Sequence, residues 1–394
     1  MPLCALLGFF ERLTHPLIRP QTRIAVSSPP QSILVIKFFG LGSILLQADL
    51  VRNIRTRYPG ARLIFLTFRE NTKLLELLSH VDVIRAVDTR NPWRLIGSIF
   101  SNLFYFSFHR PDVAIDLEFF SKFSTLMTYL SGARWRVGFF MPQVWRIPLI
   151  NVPVYFNYAR HILEIYAQCG KAIGVDIRPA LPQPMTVRQE ARQAVQEFWR
   201  THQISEKNVV LGVNVNASDL ALCRRWPLSK FAGVVNALLD NYQDMKVLLT
   251  GTKKEKSYVA QIWPLIEENR RERVVDASGA FSLEQFIAAL DKMNVFLSND
   301  SGPFQLAQVQ RVPLVSIWGA GDPALYGPYG QGQGRQRVIY RSWPCSPCLY
   351  IYRTDAGYFC NGSTQCLENI HQEEVVRAVE ELANMRESDT KDFP

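Results

Sequence analysis

In 298-SNDSGPFQLAQVQRVPLVSIWGAGDP-323 two apolar runs bracket a polar turn and a short helix. Val295, Phe296 and Leu297 lead into the turn, and the second run extends from Val312 to Trp318 before ending in glycines. Asn299-Asp300-Ser301-Gly302-Pro303 reads as a helix entry: a carboxylate, a hydroxyl, a glycine that lets a ligand approach, and a proline suited to a first helical turn. The N–H groups at such an entry make an anion site, and phosphate is the anion that α/β proteins often place there. The same residues also serve as a plain N-cap, so the reading depends on the rest of the chain.

Outward from this stretch, strands alternate with helices. The run 33-ILVIK-37 is continuously apolar up to its lysine, as expected of a strand covered on both faces of a parallel sheet. It leads into 38-FFGLGS-43 and a helix predicted from about 44 to 57, which Tyr58-Pro59-Gly60 ends. Strand 62–67, a helix at 71–79, a strand near 83–87, a helix near 93–106 and strand 112–117 continue the series. A second series runs through strand 208–215, helix 228–239, strand 245–251, helix 255–268, strand 273–277, helix 282–291, strand 294–298 and strand 312–318. A helix over 371–385 closes it. The fold class is therefore α/β, with two Rossmann-like doubly wound parallel sheets. We divide the chain into a tail at 1–30, a first domain at 31–180, a proline-containing connection and helix at 181–206, and a second domain at 207–394. The two domains are expected to face a central cleft, with ligands at the carboxyl ends of the strands.

The 394 residues suit two cores better than one. No apolar run reaches the ~18–20 residues of a membrane span. The apolar start, residues 1–10, is short and is followed at once by Glu11 and Arg12, which makes a poor secretory signal and favours a cytoplasmic protein. The net charge of +9 is uneven: 22 Lys+Arg against 12 Asp+Glu over residues 1–190 give +10, and the remaining 22 against 23 give −1. No nucleic-acid-binding module accompanies this charge, so an anionic membrane surface or an anionic lipid-linked substrate fits it better than nucleic acid. Cys345, Cys348, Cys360 and Cys366 cluster in a loop over 345–366 whose first pair has zinc-like spacing and whose second is too wide for a standard ribbon. Structural zinc and reduced thiols both remain open.

Several residues stand where chemistry is expected. Gly40 and Gly42 flank a strand-to-helix turn where a backbone can approach a ligand. Arg224 and Arg225, after strand 208–215, can fork onto diphosphate oxygens. Gly251 leaves the next strand, and Glu255 beyond it can accept from ribose or sugar hydroxyls.

The chain resembles glycosyltransferase family 9, the family of the ADP-heptose:lipopolysaccharide heptosyltransferases. The resemblance spans residues 31–385 and lies in ILVIKFFGLGSILL, RRWPLSKF, TGTKKE, SNDSGPFQLA with GAGDP and GPYG, and the CSPC loop with its later cysteines. It implies a GT-B architecture, with acceptor bound mainly by the first domain and nucleotide-sugar by the second, and metal-independent transfer with inversion and no required cofactor. It further implies that Arg224 binds donor phosphates, followed by the matching Trp226-Pro227, and that Glu255 meets the nucleoside. Asp300, Ser301 and Gly302 would hold the donor sugar and phosphates, and Lys122 would lie on the acceptor side.

Two positions depart from the pattern. Ser43 stands where an aspartate thought to deprotonate the acceptor is common, and Gln305 where a histidine is common. A serine near its usual pKa is no general base at neutral pH. Glu118 and Asp116, at the end of a first-domain strand, are the substitute candidates, with helix capping as the alternative role of Asp116. The expected function is transfer of a sugar, by family default heptose from ADP-heptose, to an anionic glycolipid or cell-surface polysaccharide. The expected location is the cytoplasm, at the inner-membrane surface. A nucleotide-sugar-binding protein without transferase activity is the rival.

Overall fold

The structure is a computed structural model that describes residues 29–78, 80–141, 146, 149–217, 219–330, 333–349 and 364–388. The chain divides into two compact units between Pro182 and Gln183.

In the first unit, strands β1 (Ser32–Ile36), β2 (Arg62–Phe68), β3 (Val83–Val87), β4 (Val113–Asp116), β5 (Trp135–Phe140) and β6 (Val152–Tyr155) form one sheet in the order β3-β2-β1-β4-β5-β6. Every pairing is parallel. Helices α1 (Leu41–Leu46), α2 (Ala48–Arg57), α3 (Thr72–Glu76), α4 (Pro92–Phe108), α5 (Lys122–Leu130) and α6 (Ile162–Ala172) connect them. The apolar run of β1 is buried from Ile33 to Ile36, as two-sided coverage requires.

The second unit repeats this plan. Strands β7 (Val209–Asn214), β8 (Met245–Leu249), β9 (Val274–Asp276), β10 (Val295–Asn299), β11 (Leu314–Trp318) and β12 (Gln336–Tyr340) take the order β12-β11-β10-β7-β8-β9, again parallel throughout. Its helices are α7 (Gln189–Thr201), α8 (Leu228–Asn241), α9 (Lys256–Val259), α10 (Leu283–Leu290), α11 (Gly302–Val309), α12 (Pro323–Tyr326), α13 (Gln365–Glu368) and α14 (Gln372–Ser388). Trp226, Phe231, Leu238 and Val379 lie in the core between this sheet and its helices, each fully buried. In both sheets the strand order reverses once, between β1 and β4 and between β7 and β10. In open α/β sheets a ligand crevice opens at that reversal, outside the carboxyl ends.

Three expected helices differ. The helix expected over 44–57 is broken at Gln47, whose side chain donates to the Ile44 carbonyl and lets the chain re-enter helix at Ala48. The helix expected over 255–268 is helical only from Lys256 to Val259 and then tightens into a 3₁₀ segment, Ala260–Leu265, that holds Pro264. A proline cannot donate into an α-helical ladder. The helix expected over 71–79 is the short α3. The residues expected to connect the domains are engaged in the second unit from Gln183 on: Met185 N donates to Gln310 Oε1 at 2.7 Å, and Arg188 Nη2 reaches Glu284 Oε2 at 2.6 Å.

Candidate functional site

At the carboxyl edge of the first sheet, β1 runs into Lys37 and β4 into Leu117 and Glu118. Ile36 and Asp116 are register partners, so the residues that follow them are neighbours. Glu118 Oε1 accepts from Lys37 Nζ at 2.7 Å and from the backbone N–H groups of Phe38 and Phe39 at 2.9 and 2.8 Å. The turn after β1 is thus wrapped on one carboxylate oxygen. Glu118 Oε2 is buried and has no hydrogen-bond partner among the described residues. Asp116 is filled by contrast. Its Oδ1 accepts from Glu118 N, and its Oδ2 from Ser124 Oγ and the Arg146 guanidinium. Burial pushes the Asp116 carboxyl above the usual carboxylate range, against the pull of Arg146. Arg146 also donates to Thr125 Oγ1 and the Glu118 carbonyl, so it braces both acids.

Gly40 takes φ +80°, a left-handed conformation that favours glycine, and it precedes α1. Ser43 is half-buried within that helix, and its Oγ lies 3.2 Å from where a Gly40 Cβ would stand. Gly42 is buried beside it. Lys122 is exposed at the first position of α5, where Ser121 supplies the N-cap by accepting from Ser124 N at 3.1 Å. A cation at a helix N-terminus gains nothing from the helix dipole, so its placement needs another reason.

At the carboxyl edge of the second sheet, Asn299 joins three segments. Its Nδ2 donates to the carbonyls of Val215 and Asn216 beyond β7, and its Oδ1 accepts from Trp226 N at 3.1 Å. Trp226 is itself fully buried, with Nε1 on the Leu367 carbonyl. The loop carrying Arg224 is therefore fixed at both ends. Arg224 Nη1 lies 3.5 Å from Asp300 Oδ2, while its buried Nε has no acceptor among the described residues. Burial raises the Asp300 carboxyl, with Arg224 opposing. A Cβ at Gly321 would collide with Asp300 Oδ2, so this glycine of the GAGDP segment makes room for the carboxylate. Ser301 caps α11 by accepting from Phe304 N, and Gly302 opens that helix with Pro303 behind it.

Arg225 is committed elsewhere. Its guanidinium sits 4.4 Å from the Tyr258 ring centroid, and its Nε and Nη2 reach the Ala217 carbonyl. It holds the loop in shape beside Arg224. Glu255 Oε2 accepts from Thr252 N at 2.7 Å, closing the turn that leaves β8. Gly251 in that turn lies against Asn216, whose buried Oδ1 also lacks a partner among the described residues. Gln305 donates to the Tyr326 carbonyl and accepts from Gln308 Nε2, which ties α11 to α12.

Cys345 is exposed and Cys366 buried, and neither these nor Cys348 is in a disulfide among the described residues. Cys360 lies outside the described residues. Among the described residues no group of three His, Cys, Asp or Glu is placed to hold a metal ion.

With this geometry in view, residues 111–354 match glycosyltransferase family 9 (heptosyltransferase). The chain belongs to glycosyltransferase family 9. It is similar to the lipopolysaccharide core heptosyltransferase OpsX of Haemophilus influenzae, 20% identical over 76% of this chain and 82% of that protein. Among solved structures, ADP-heptose lipopolysaccharide heptosyltransferase II of Escherichia coli has a TM-score of 0.71 at 20% identity, covering 91% of this chain and all of that one. The E. coli heptosyltransferase WaaC, solved with ADP-2-deoxy-2-fluoro heptose, has a TM-score of 0.60 at 16% identity over 89% and 99%. The fold is thus the GT-B fold of these enzymes, and this member of the family is a glycosyltransferase with a heptosyltransferase-like function.

The motif residues Arg224, Asp300, Ser301 and Gly302 converge at the β7/β10 reversal, whereas Arg225 is drawn into loop support. The sequence gives no role to Lys37, Arg146 or Asn216, and Asn299 stands in it only as the first residue of the helix entry. A lysine closing a fully buried run was the one available signal for Lys37. The asparagines of 213-VNVNAS-218 gave no pattern of their own.

Proposed function

We propose that this glycosyltransferase moves a heptose from ADP-heptose to an anionic, lipid-linked saccharide acceptor, by a single displacement with inversion and without a metal. It would work at the cytoplasmic face of the inner membrane. The second unit holds the donor and the first the acceptor. The observation that carries the donor half is the buried Arg224 Nε, without an acceptor among the described residues, beside Asp300 and the N-terminus of α11. A guanidinium donor and helix N–H groups suit a diphosphate, and they gain most as negative charge grows on the departing group. Asp300 holds sugar hydroxyls, Glu255 the nucleoside, and Lys122 an anionic group of the acceptor.

The acceptor oxygen bonds to the anomeric carbon as the bond from that carbon to the phosphate oxygen breaks. The acceptor proton leaves to a carboxylate. Of the two candidates, Asp116 has both oxygens occupied, while Glu118 keeps Oε2 without a donor among the described residues, which favours Glu118. Because that oxygen is buried, the acceptor reaches it only if the residues that cover it move. Ser43 contributes no base.

The test is release of ADP from ADP-heptose in the presence of an anionic lipid-linked saccharide acceptor. Glu118→Gln should lose transfer by about 10²–10⁴-fold while still binding donor, and Ser43→Ala should retain transfer. Turnover by Glu118→Gln at the unsubstituted rate would remove Glu118 from the reaction. Ser43 and Gln305 also motivate the rival reading, donor binding without transfer. It predicts a donor-induced rise in melting temperature with no acceptor-dependent ADP release.

A further inference from the structure

Helix α4 has an outward face that the described residues of its own unit do not cover. Leu95, Ile99, Leu103 and Phe106 pack inward on the core beneath β3. Outward, Trp93, Ile96, Phe100, Phe104 and Phe108 are 83%, 46%, 67%, 69% and 71% exposed. Their spacing of three or four residues puts them in one stripe along the helix. A water-facing helix surface normally carries charged and polar residues there.

Charge decides what the stripe fits. From residue 89 to 111 there is no aspartate or glutamate, while Arg90, Arg94 and Arg110 flank the stripe. Arg69, Arg90 and Arg94 share the single carboxylate of Asp88, which leaves excess positive charge at the start of α4. Arg94 in the first turn gains nothing from the helix dipole. Two copies stacked through this stripe would set arginines against arginines. Residues 1–28 offer those arginines little counter-charge, with Arg12, Arg19 and Arg23 against Glu11 alone. An anionic lipid surface instead supplies both the negative charge and the apolar layer that Trp and Phe enter at an interface. Among the described residues no helix, the 17-residue α4 included, is long and apolar enough to cross a membrane.

We infer that the outward face of α4 is a membrane-docking surface, lying in the interface of an anionic bilayer with Trp93, Phe100 and Phe104 inserted and Arg90, Arg94 and Arg110 on the headgroups. This rests on the reading of the chain as an enzyme with a lipid-linked acceptor, and it names the surface that brings the enzyme to that acceptor.

The experiment is flotation of the full chain with phosphatidylcholine vesicles, with and without phosphatidylglycerol. The unsubstituted protein should float with the anionic vesicles, less so at high salt. Trp93→Ser/Phe100→Ser/Phe104→Ser should lower partitioning by at least about tenfold, with an unchanged melting temperature because these side chains are exposed. Arg94→Gln/Arg110→Gln should erase the preference for phosphatidylglycerol. Equal flotation of the triple variant and the parent overturns the inference. So does a parent that does not float but is a dimer by light scattering and becomes monomeric on triple substitution. Acceptor-dependent ADP release, measured on the same samples, reports separately on the proposed transfer to a lipid-linked acceptor. Flotation without that release leaves the surface standing and removes the proposed transfer, and release without flotation does the reverse.

Discussion

Lys37 Nζ lies 2.7 Å from Glu118 Oε1, and the two side chains are 2% and 0% exposed. The pair joins the ends of β1 and β4 at the reversal of the first sheet. Removing one partner leaves a buried charge without its counter-charge, which costs roughly 3–5 kcal/mol, whereas removing both costs much less. Lys37→Met should therefore lower the urea midpoint sharply, and Lys37→Met/Glu118→Gln should recover much of the loss. If the double variant were as unstable as the sum of the singles, the pair would not be coupled as the geometry implies.

Asp300 gives a pH prediction. Burial raises its carboxyl above the ordinary range in the folded protein, with Arg224 only partly offsetting this. The folded state therefore keeps a proton that the unfolded chain has lost. That contribution is fully present below the unfolded value and disappears as pH rises through the higher folded value. At neutral pH the ionised group costs stability. Asp300→Asn should raise the melting temperature at pH 7 by about 2–4 °C, with the gain vanishing in acid, while transfer falls. Arg224, still 18% exposed, keeps some hydration when its partner is neutralised. A melting temperature that falls at pH 7 in this variant would mean that the ion pair outweighs the burial cost.

The doubly wound class was legible because β1, β7 and β10 are apolar runs ending at polar turns, a pattern set by burial on both sheet faces. The places of Arg224, Asp300 and Ser301 beyond β7 and β10 were legible because they sit in contiguous motifs. Lys37–Glu118 was not, since it joins residues 81 positions apart through strand pairing. The different fates of Arg224 and Arg225 were hidden for a related reason. Adjacent arginines look alike in sequence, and only Tyr258 and the Ala217 carbonyl separate them. The break at Gln47 depends on one side-chain bond to a local carbonyl, which apolar periodicity does not register.

Asn299 tests whether the Arg224 loop is held from beneath. Its amide donates to two carbonyls and accepts from Trp226 N, all buried. Asn299→Ala leaves these groups unpaired and should cost about 1–3 kcal/mol. Asn299→Asp should be worse, because a carboxylate would then face the Val215 and Asn216 carbonyls. Both should weaken donor binding without touching the ligand, measured by calorimetry on samples shown to be folded. Unchanged donor affinity in a folded Asn299→Ala protein would show that Arg224 is positioned by other contacts.

Arg224 itself separates binding from catalysis. Its Nη1 is turned to Asp300 and its buried Nε has no acceptor among the described residues, so two edges of one guanidinium can serve sugar-side carboxylate and diphosphate together once the loop shifts to open Nε. Charge on the diphosphate grows as the glycosidic bond breaks, so the donor is worth more in the transition state than in the ground state. Arg224→Ala should lower kcat by about 10²–10³ with a smaller rise in KM. Arg224→Lys should restore little, since an ammonium is a single point charge without the fork. Steady-state ADP release at saturating acceptor makes the distinction. A variant whose KM rises while kcat holds would assign Arg224 to uniform donor binding and leave the α11 N-terminus to carry the leaving group.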